Sequence, residues 1–199
     1  MKKMIRLLLI GPVGGGKTSL GNFLFGQRIF DENRGISVPE IEEKRDNNLS
    51  IVDTPGFGYS NTDEKYKKLS DYIKSIDQLN GILIVMKAQD QRLLSSSDEE
   101  MMKNIYDIFN FRSFKNIAFV FTHFYAVEEI DVEYIKNTSL EKVKLLKELI
   151  EKSSGGKQLE GDSEIFFINN LFGHDKIDEE SIKVRDKILS WAKGLPSII

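Results

Sequence analysis

Cysteine is absent from the sequence. That excludes a disulfide framework, a thiolate metal site, a cysteine nucleophile and a prenyl or palmitoyl anchor. Lys2, not glycine, follows Met1, which removes the acceptor for N-myristoylation. Long apolar runs are also missing. Met4 to Ile10 is too short to cross a bilayer, and it leads into glycines and Lys17 where a signal peptide needs a small-residue cleavage site. The apolar stretch Leu195, Pro196, Ser197, Ile198 and Ile199 is shorter still. Neither sign of charge dominates, and a formal net charge of −3 gives no general pull toward nucleic acid or anionic lipid. His174 has no histidine or cysteine neighbour with which to form a metal site, so it reads as a surface residue. The expectation is a cytoplasmic protein with no nucleic-acid partner and no transmembrane or lipid anchor.

What is present describes a folded chain. Hydrophobic residues make up 40% and charged residues 30% of the sequence, which argues against disorder. Its 199 residues suit one three-layer core and are few for two, so a single domain spanning 1–199 is expected. Apolar runs and breakers place a strand at Met4 to Ile10, then a glycine-rich loop, then a helix from near Lys17. Gln27 to Glu40 is polar without periodicity and reads as a loop ahead of two short strands. The second strand is Leu49 to Val52, with Asp46, Asn47 and Asn48 as the turn.

Tyr66, Leu69, Ile73 and Ile76 recur at helical spacing, which puts Lys65, Lys67, Lys68 and Lys74 on a solvated side. Gly81 to Met86 reads as a buried strand. Ser95, Ser96 and Ser97 before Asp98, Glu99 and Glu100 offer an N-cap and a capping box to a helix carrying Met102, Ile105 and Phe109. Ile117 to Phe121 is a strand, Leu140, Val143, Leu146 and Ile150 mark a helix, and Ser153 to Ser163 has the composition of a solvated loop. Ile165 to Ile168 is the last strand, and Ile182, Ile188, Leu189 and Trp191 belong to a closing helix. Strands alternating with helices require an α/β fold with a largely parallel sheet covered on both faces, because parallel neighbours need crossover connections.

Gly11-Pro12-Val13-Gly14-Gly15-Gly16-Lys17-Thr18 matches the Walker A spacing G-x-x-x-x-G-K-S/T and falls between a predicted strand and a predicted helix. Glycines let backbone N–H groups turn inward around phosphates, and the helix N-terminus adds its positive dipole end. Lys17 would neutralise the β- and γ-phosphates, the Thr18 hydroxyl would coordinate Mg²⁺, and Ser19 continues the cradle. Asp53 closes the strand ending at Val52 and opens Asp53-Thr54-Pro55-Gly56, a D-x-x-G pattern. A carboxylate at that strand end can hold Mg²⁺ through water, and Gly56 offers a backbone N–H near the γ-phosphate.

These residues resemble the GIMAP and plant avirulence-induced-gene GTPases, relatives of the chloroplast Toc receptor GTPases and, more distantly, of septins. Gly21-Asn22-Phe23-Leu24-Phe25-Gly26 is similar to the family's G-N-x-I/L-L-G. Gly81 to Asn110 resembles the family's box between the third and fourth nucleotide motifs, and Phe166-Phe167-Ile168-Asn169-Asn170 its aromatic strand ending in an asparagine that contacts guanine. The resemblance spans Ile5 to Asn170. It implies a three-layer P-loop NTPase of the Ras-like G-domain type, a six-stranded, mostly parallel sheet with one antiparallel pair. It further implies GTP or GDP with Mg²⁺ as ligands, Asn170 and the His123 region at the base, a nucleotide-dependent homodimer and an effector of unknown identity. Family members commonly reach membranes through C-terminal extensions, so peripheral membrane contact stands beside the cytoplasmic expectation.

Three departures from the family pattern bear on chemistry. The strand that carries the base-reading motif ends Phe121-Thr122-His123-Phe124-Tyr125-Ala126, without the aspartate of N-K-x-D. Glu128 or Glu129 is a candidate substitute, and His123 or Phe124 a candidate stacking partner for the base. In the first switch, Ser37-Val38-Pro39 stands where the family has S-V-T, which leaves Ser37 as the candidate metal and γ-phosphate sensor and gives Pro39 no donor. Phe57 follows Gly56 where other GTPases place a water-orienting glutamine, so hydrolysis is expected to be slow, about 10⁻⁴ per second by analogy with unassisted Ras. Arg34 and Arg92 are candidate arginine fingers. Two other readings stay open on the sequence: a non-catalytic GTP or GDP scaffold, and an NTPase without strict guanine selectivity.

Overall fold

The computed structural model describes residues 4–32, 40–58, 62–90, 92–124, 132–169 and 179–199. In chain order the elements are β1 (Ile5–Ile10), α1 (Lys17–Phe25), β2 (Glu42–Asp46), β3 (Leu49–Asp53), α2 (Thr62–Ser75), β4 (Gly81–Lys87), α3 (Ser96–Phe109), β5 (Ile117–Thr122), α4 (Val132–Ser153), β6 (Glu164–Phe167) and α5 (Glu179–Gly194). The six strands form one sheet in the order β2-β3-β1-β4-β5-β6. Only β2 against β3 is antiparallel; every other pairing is parallel. The expected α/β fold of the three-layer P-loop type is therefore the observed one.

The strands β1 and β5 are buried at all six positions, as a parallel strand covered on both faces must be. Alternation along them divides the core in two. Leu8, Ile10, Val52, Ile82 and Ile84 face Leu69 of α2, Met102 of α3 and Leu146 of α4, while Leu7, Leu9, Ile51, Leu83 and Val85 face Leu20 of α1 and Ile188 of α5. The period of two sends successive residues to opposite helical layers. β2 is composed of Glu42, Glu43, Lys44, Arg45 and Asp46, and a charged edge strand of this kind resists pairing with another chain. Asn47 turns the hairpin with a left-handed φ of 51°. The capping box on α3 is formed: the Ser95 side chain accepts from the Asp98 backbone, and the Asp98 carboxylate accepts from the Ser95 backbone.

Two of the apolar residues that mark the last two helices lie outside the core. Leu140 is 39% exposed and Ile182 37% exposed. Each lies roughly 100° round its helix from the buried stripe, which in α4 runs through Ile135, Ser139, Lys142, Val143, Leu146 and Ile150, and in α5 through Ser181, Ile188 and Ala192. The apolar end of the chain is docked at the foot of the sheet, where the Ile198 N–H donates to the Leu79 carbonyl at 2.6 Å. Successive crossovers carry the chain from β1 to β3 on one side and back past β1 to β4 on the other. A crevice therefore opens at the carboxyl end of β1, the place where doubly wound sheets bind ligands.

Candidate functional site

The P-loop fills that crevice. Gly16 holds φ 89° at the entry to α1, a left-handed conformation that a side chain disfavours. A Cβ there would also come within 3.0 Å of the Thr122 hydroxyl oxygen. Lys17 starts α1 and is buried, and its ammonium donates to the carbonyls of Gly11 at 3.1 Å and Pro12 at 3.0 Å. Burial holds the Lys17 ammonium down to about 8; Asp53 opposes that shift and the charge of Lys65 adds to it.

The Asp53-Thr54-Pro55-Gly56 turn is tied to the P-loop by both backbone and side chain. The Phe57 N–H donates to the Gly11 carbonyl at 3.2 Å, the Val13 N–H to the Phe57 carbonyl at 3.3 Å, and the Thr54 hydroxyl to the Leu9 carbonyl at 2.8 Å. The approach is so close at Gly56 that a Cβ would lie 2.5 Å from Val13 Cα, which accounts for glycine there. The Thr18 hydroxyl donates to Asp53 Oδ2 at 2.7 Å, whereas Asp53 Oδ1 is buried without a hydrogen-bond partner. Burial raises the Asp53 carboxyl above the ordinary carboxylate range, against the Thr18 hydrogen bond and the charge of Lys17. A buried carboxylate with one unpartnered oxygen beside a threonine hydroxyl suits a hard divalent cation. Among the described residues no three carboxylates or imidazoles gather, so such an ion would draw its remaining oxygen ligands from water and phosphate, as Mg²⁺ does.

A pocket of about 320 Å³ brings together Val13, Gly14, Gly16, Lys17, Thr18, Ser19, Gly56 and His123, with Glu32 and Thr54. Gly11, Pro12 and Gly15 lie beneath it, with their carbonyls engaged by Lys17 and Thr122. A separate cavity of about 400 Å³ opens behind the P-loop between Phe57, Met86, Met101, Arg92 and Lys142. It does not include Lys17 or Thr18.

At the base end the structure separates the two stacking candidates. His123 lines the phosphate pocket with φ 55° and Nδ1 2.9 Å from the Thr122 hydroxyl oxygen. Burial, with Lys87 nearby, pushes its imidazole below the ordinary histidine range. Phe124 instead packs on Phe167 at 4.8 Å. Arg92, the arginine-finger candidate, is 76% exposed, pairs with Asp90 at 2.9 Å and borders the cavity behind the P-loop. Asn170, Ser37, Arg34, Glu128 and Glu129 lie outside the described residues.

Three contributors escaped the sequence reading. Thr122 donates to the Gly15 carbonyl at 2.7 Å and so ties β5 to the P-loop; the sequence signal was its place in the strand end where the base-reading motif falls, which says nothing of the P-loop contact. Asn22, fully buried, holds the N–H groups of Ile29 and Phe30 and donates to Glu32, whose other oxygen accepts from Ser19 at 2.8 Å. Ser19 thus spends its hydroxyl on Glu32, which leaves its backbone N–H for the cradle. Lys65 is not simply solvated, because its ammonium donates to the Gly56 carbonyl at 3.0 Å.

With this geometry in hand, comparison with known proteins is specific. The AIG1 family model matches residues 5–158. The chain is 24% identical over 160 residues to human GTPase IMAP family member 8, covering 76% of this chain and 23% of that protein, so it spans about a quarter of that relative's length. Toc33 from Arabidopsis thaliana in complex with GDP and Mg²⁺ matches with a TM-score of 0.73 at 19% identity, over 97% of this chain and 84% of that one. A structure of the chloroplast translocon components atToc33 and psToc159, for which dimerization is important for GTPase activity, matches with a TM-score of 0.76 at 17% identity, over 100% of this chain and 87% of that one. The structural likenesses share the P-loop fold, and the family match covers the P-loop, the D-x-x-G turn and the strand that carries Thr122. The chain belongs to the AIG1 family.

Proposed function

We propose that this chain is a Mg²⁺-dependent guanine-nucleotide-binding domain that hydrolyses GTP slowly and works as a switch or assembly GTPase. The observation that carries the reading is the Thr18–Asp53 pair, with its unpartnered buried oxygen, set directly behind the phosphate pocket. Lys17 supplies charge to the β- and γ-phosphates, the P-loop N–H groups cradle them, and Gly56 presents its N–H to the γ-phosphate. Thr18 and Asp53 would hold Mg²⁺, with Ser37 as the further candidate; the ion supplies charge neutralisation across the phosphates. His123 and Asn170 are assigned to the base.

Slow turnover follows from Phe57. It is 2% exposed and stacked on Tyr66 at 4.5 Å, so the position after Gly56 points into the core and cannot orient water. The same observation favours a second reading, in which the nucleotide stabilises an assembly and hydrolysis is incidental. Toc33 and psToc159 link dimerization to GTPase activity, which supports assigning a nucleotide-dependent homodimer to this chain as well. No helix among the described residues is long and apolar enough to cross a membrane.

The test is titration of labelled GDP, a GTP analogue and an ATP analogue with Mg²⁺ present, on wild type and Lys17→Ala. Guanine-selective binding that is lost in the variant is the expected outcome. Equal affinity for ATP would replace the guanine assignment with a general NTPase, and no binding by wild type would sink the reading. Turnover measured across protein concentration separates a GTPase activated by pairing from a scaffold.

A further inference from the structure

Lys65 occupies the first turn of α2, nine positions after Gly56 in the sequence. A cation at the positive end of a helix is disfavoured by the macrodipole, and the neighbouring Asp63 and Glu64 show the usual preference there. The structure gives Lys65 another engagement: its ammonium reaches back to the Gly56 carbonyl at 3.0 Å. The adjacent Tyr66 stacks on Phe57 at 4.5 Å with an interplanar angle of 11°, which fixes the first turn of α2 against the turn that follows Asp53. The Gly56–Phe57 peptide is thereby held at both poles, its N–H by the Gly11 carbonyl at 3.2 Å and its oxygen by Lys65. Lys65 is also close enough to act electrostatically on Lys17, so a second positive charge stands near the phosphate end of the pocket. Arg92 is directed elsewhere, toward Asp90.

We propose that Lys65 is a positioning residue for the terminal phosphate, clamping the Gly56–Phe57 peptide against the P-loop so that the preceding Gly56 N–H is presented to the third phosphate of a nucleoside triphosphate. The inference rests on the guanine-nucleotide reading above and assigns the discrimination between triphosphate and diphosphate to a helix lysine. In hydrolysis a water oxygen bonds to the γ-phosphorus while the bond from that phosphorus to the β–γ bridging oxygen breaks. The bridging electron pair stays on GDP and the water proton passes to the released phosphate. Lys65 acts by holding the Gly56 donor where charge develops on the γ-phosphoryl oxygens.

The experiment compares wild type, Lys65→Ala, Lys65→Gln and Lys65→Arg for affinity to GDP and to the β,γ-imido analogue of GTP, with single-turnover GTP hydrolysis and a melting curve for each. Loss of one charge-assisted hydrogen bond predicts an affinity for the triphosphate analogue about tenfold weaker and hydrolysis about tenfold slower in the Ala and Gln variants. GDP affinity stays within about twofold, and Arg restores most of both losses. Equal weakening of GDP and the analogue, or no change in either, would overturn the role of Lys65 while leaving nucleotide binding in place. Failure of wild type to bind either nucleotide would overturn the underlying reading, and the inference with it.

Discussion

Thr18 and Asp53, on α1 and at the end of β3, meet through a hydroxyl-to-carboxylate hydrogen bond of 2.7 Å, while the second oxygen of the same carboxylate is buried and unpartnered. The arrangement is costly for the protein by itself and favourable once a cation shares the site. Asp53→Asn is therefore expected to abolish the gain in nucleotide affinity that Mg²⁺ gives over EDTA. Because burial raises the Asp53 carboxyl, the folded state binds its proton more tightly than the unfolded chain does. Stability then falls as pH rises from the ordinary carboxylate pKa through the raised value. At neutral pH in EDTA, the Asn variant should melt higher than wild type; a lower melting temperature would contradict the strain assigned to Asp53.

Lys17 gives a proton signature. Its ammonium is held down to about 8, so between pH 8 and the ordinary lysine value the unfolded chain carries more protons and stability rises with pH. Phosphates restore the charged form, and nucleotide binding above pH 8 should therefore take up protons. Calorimetry in two buffers of different ionisation enthalpy measures the uptake, and an uptake that does not grow as pH rises past about 8 would contradict the lowered Lys17 value.

Thr122→Val keeps the side-chain shape and removes the hydroxyl that holds the Gly15 carbonyl. The expected cost is about 1–2 kcal/mol of stability, read from denaturant melts. Nucleotide dissociation should accelerate as well, because the loop it releases forms the phosphate cradle.

Glu43 is the hub of a charged and polar cluster that joins β1, β2, β3 and α2. Burial pushes its carboxyl up, but hydrogen bonds from Arg45, Ser50, Arg6 and Tyr72 outweigh burial and hold it at about 2. A depressed carboxylate contributes stability that is complete above its unfolded pKa and is lost as pH falls from there toward 2. With allowance for solvent screening at this partly exposed group, the contribution is about 1–2 kcal/mol. Glu43→Gln also strips from buried Arg6 one of its two charge partners among the described residues, leaving Asp77 at 3.3 Å. The variant should be less stable at pH 7 and show a shallower decline in stability between pH 4.5 and 2; an unchanged acid slope would remove Glu43 from that role.

Much of the fold was legible because its signals are local. The apolar run ending at Ile10, the glycines up to Gly16, and Ser95 three residues before Asp98 each specify their own element through sterics, periodicity or capping. Leu140 and Ile182 mark their helices but not the buried face: an apolar residue at the margin of a helical stripe is buried or exposed according to what the neighbouring layer covers, and spacing alone does not say which.

The sequence by itself determined the βα unit that makes the P-loop, the carboxylate at the end of β3 and the glycine that must follow it, since each depends on residue type at fixed separation along the chain. Tertiary structure alone decided that Asp53 keeps one oxygen unpartnered, that Thr122 secures Gly15 from 107 residues away, that Phe57 turns into the core and that Lys65 reaches back to Gly56. Those relations depend on how separate elements pack. Distances of a few ångströms between residues far apart in sequence are set by the whole sheet and its two helical layers, and no window of the chain encodes them.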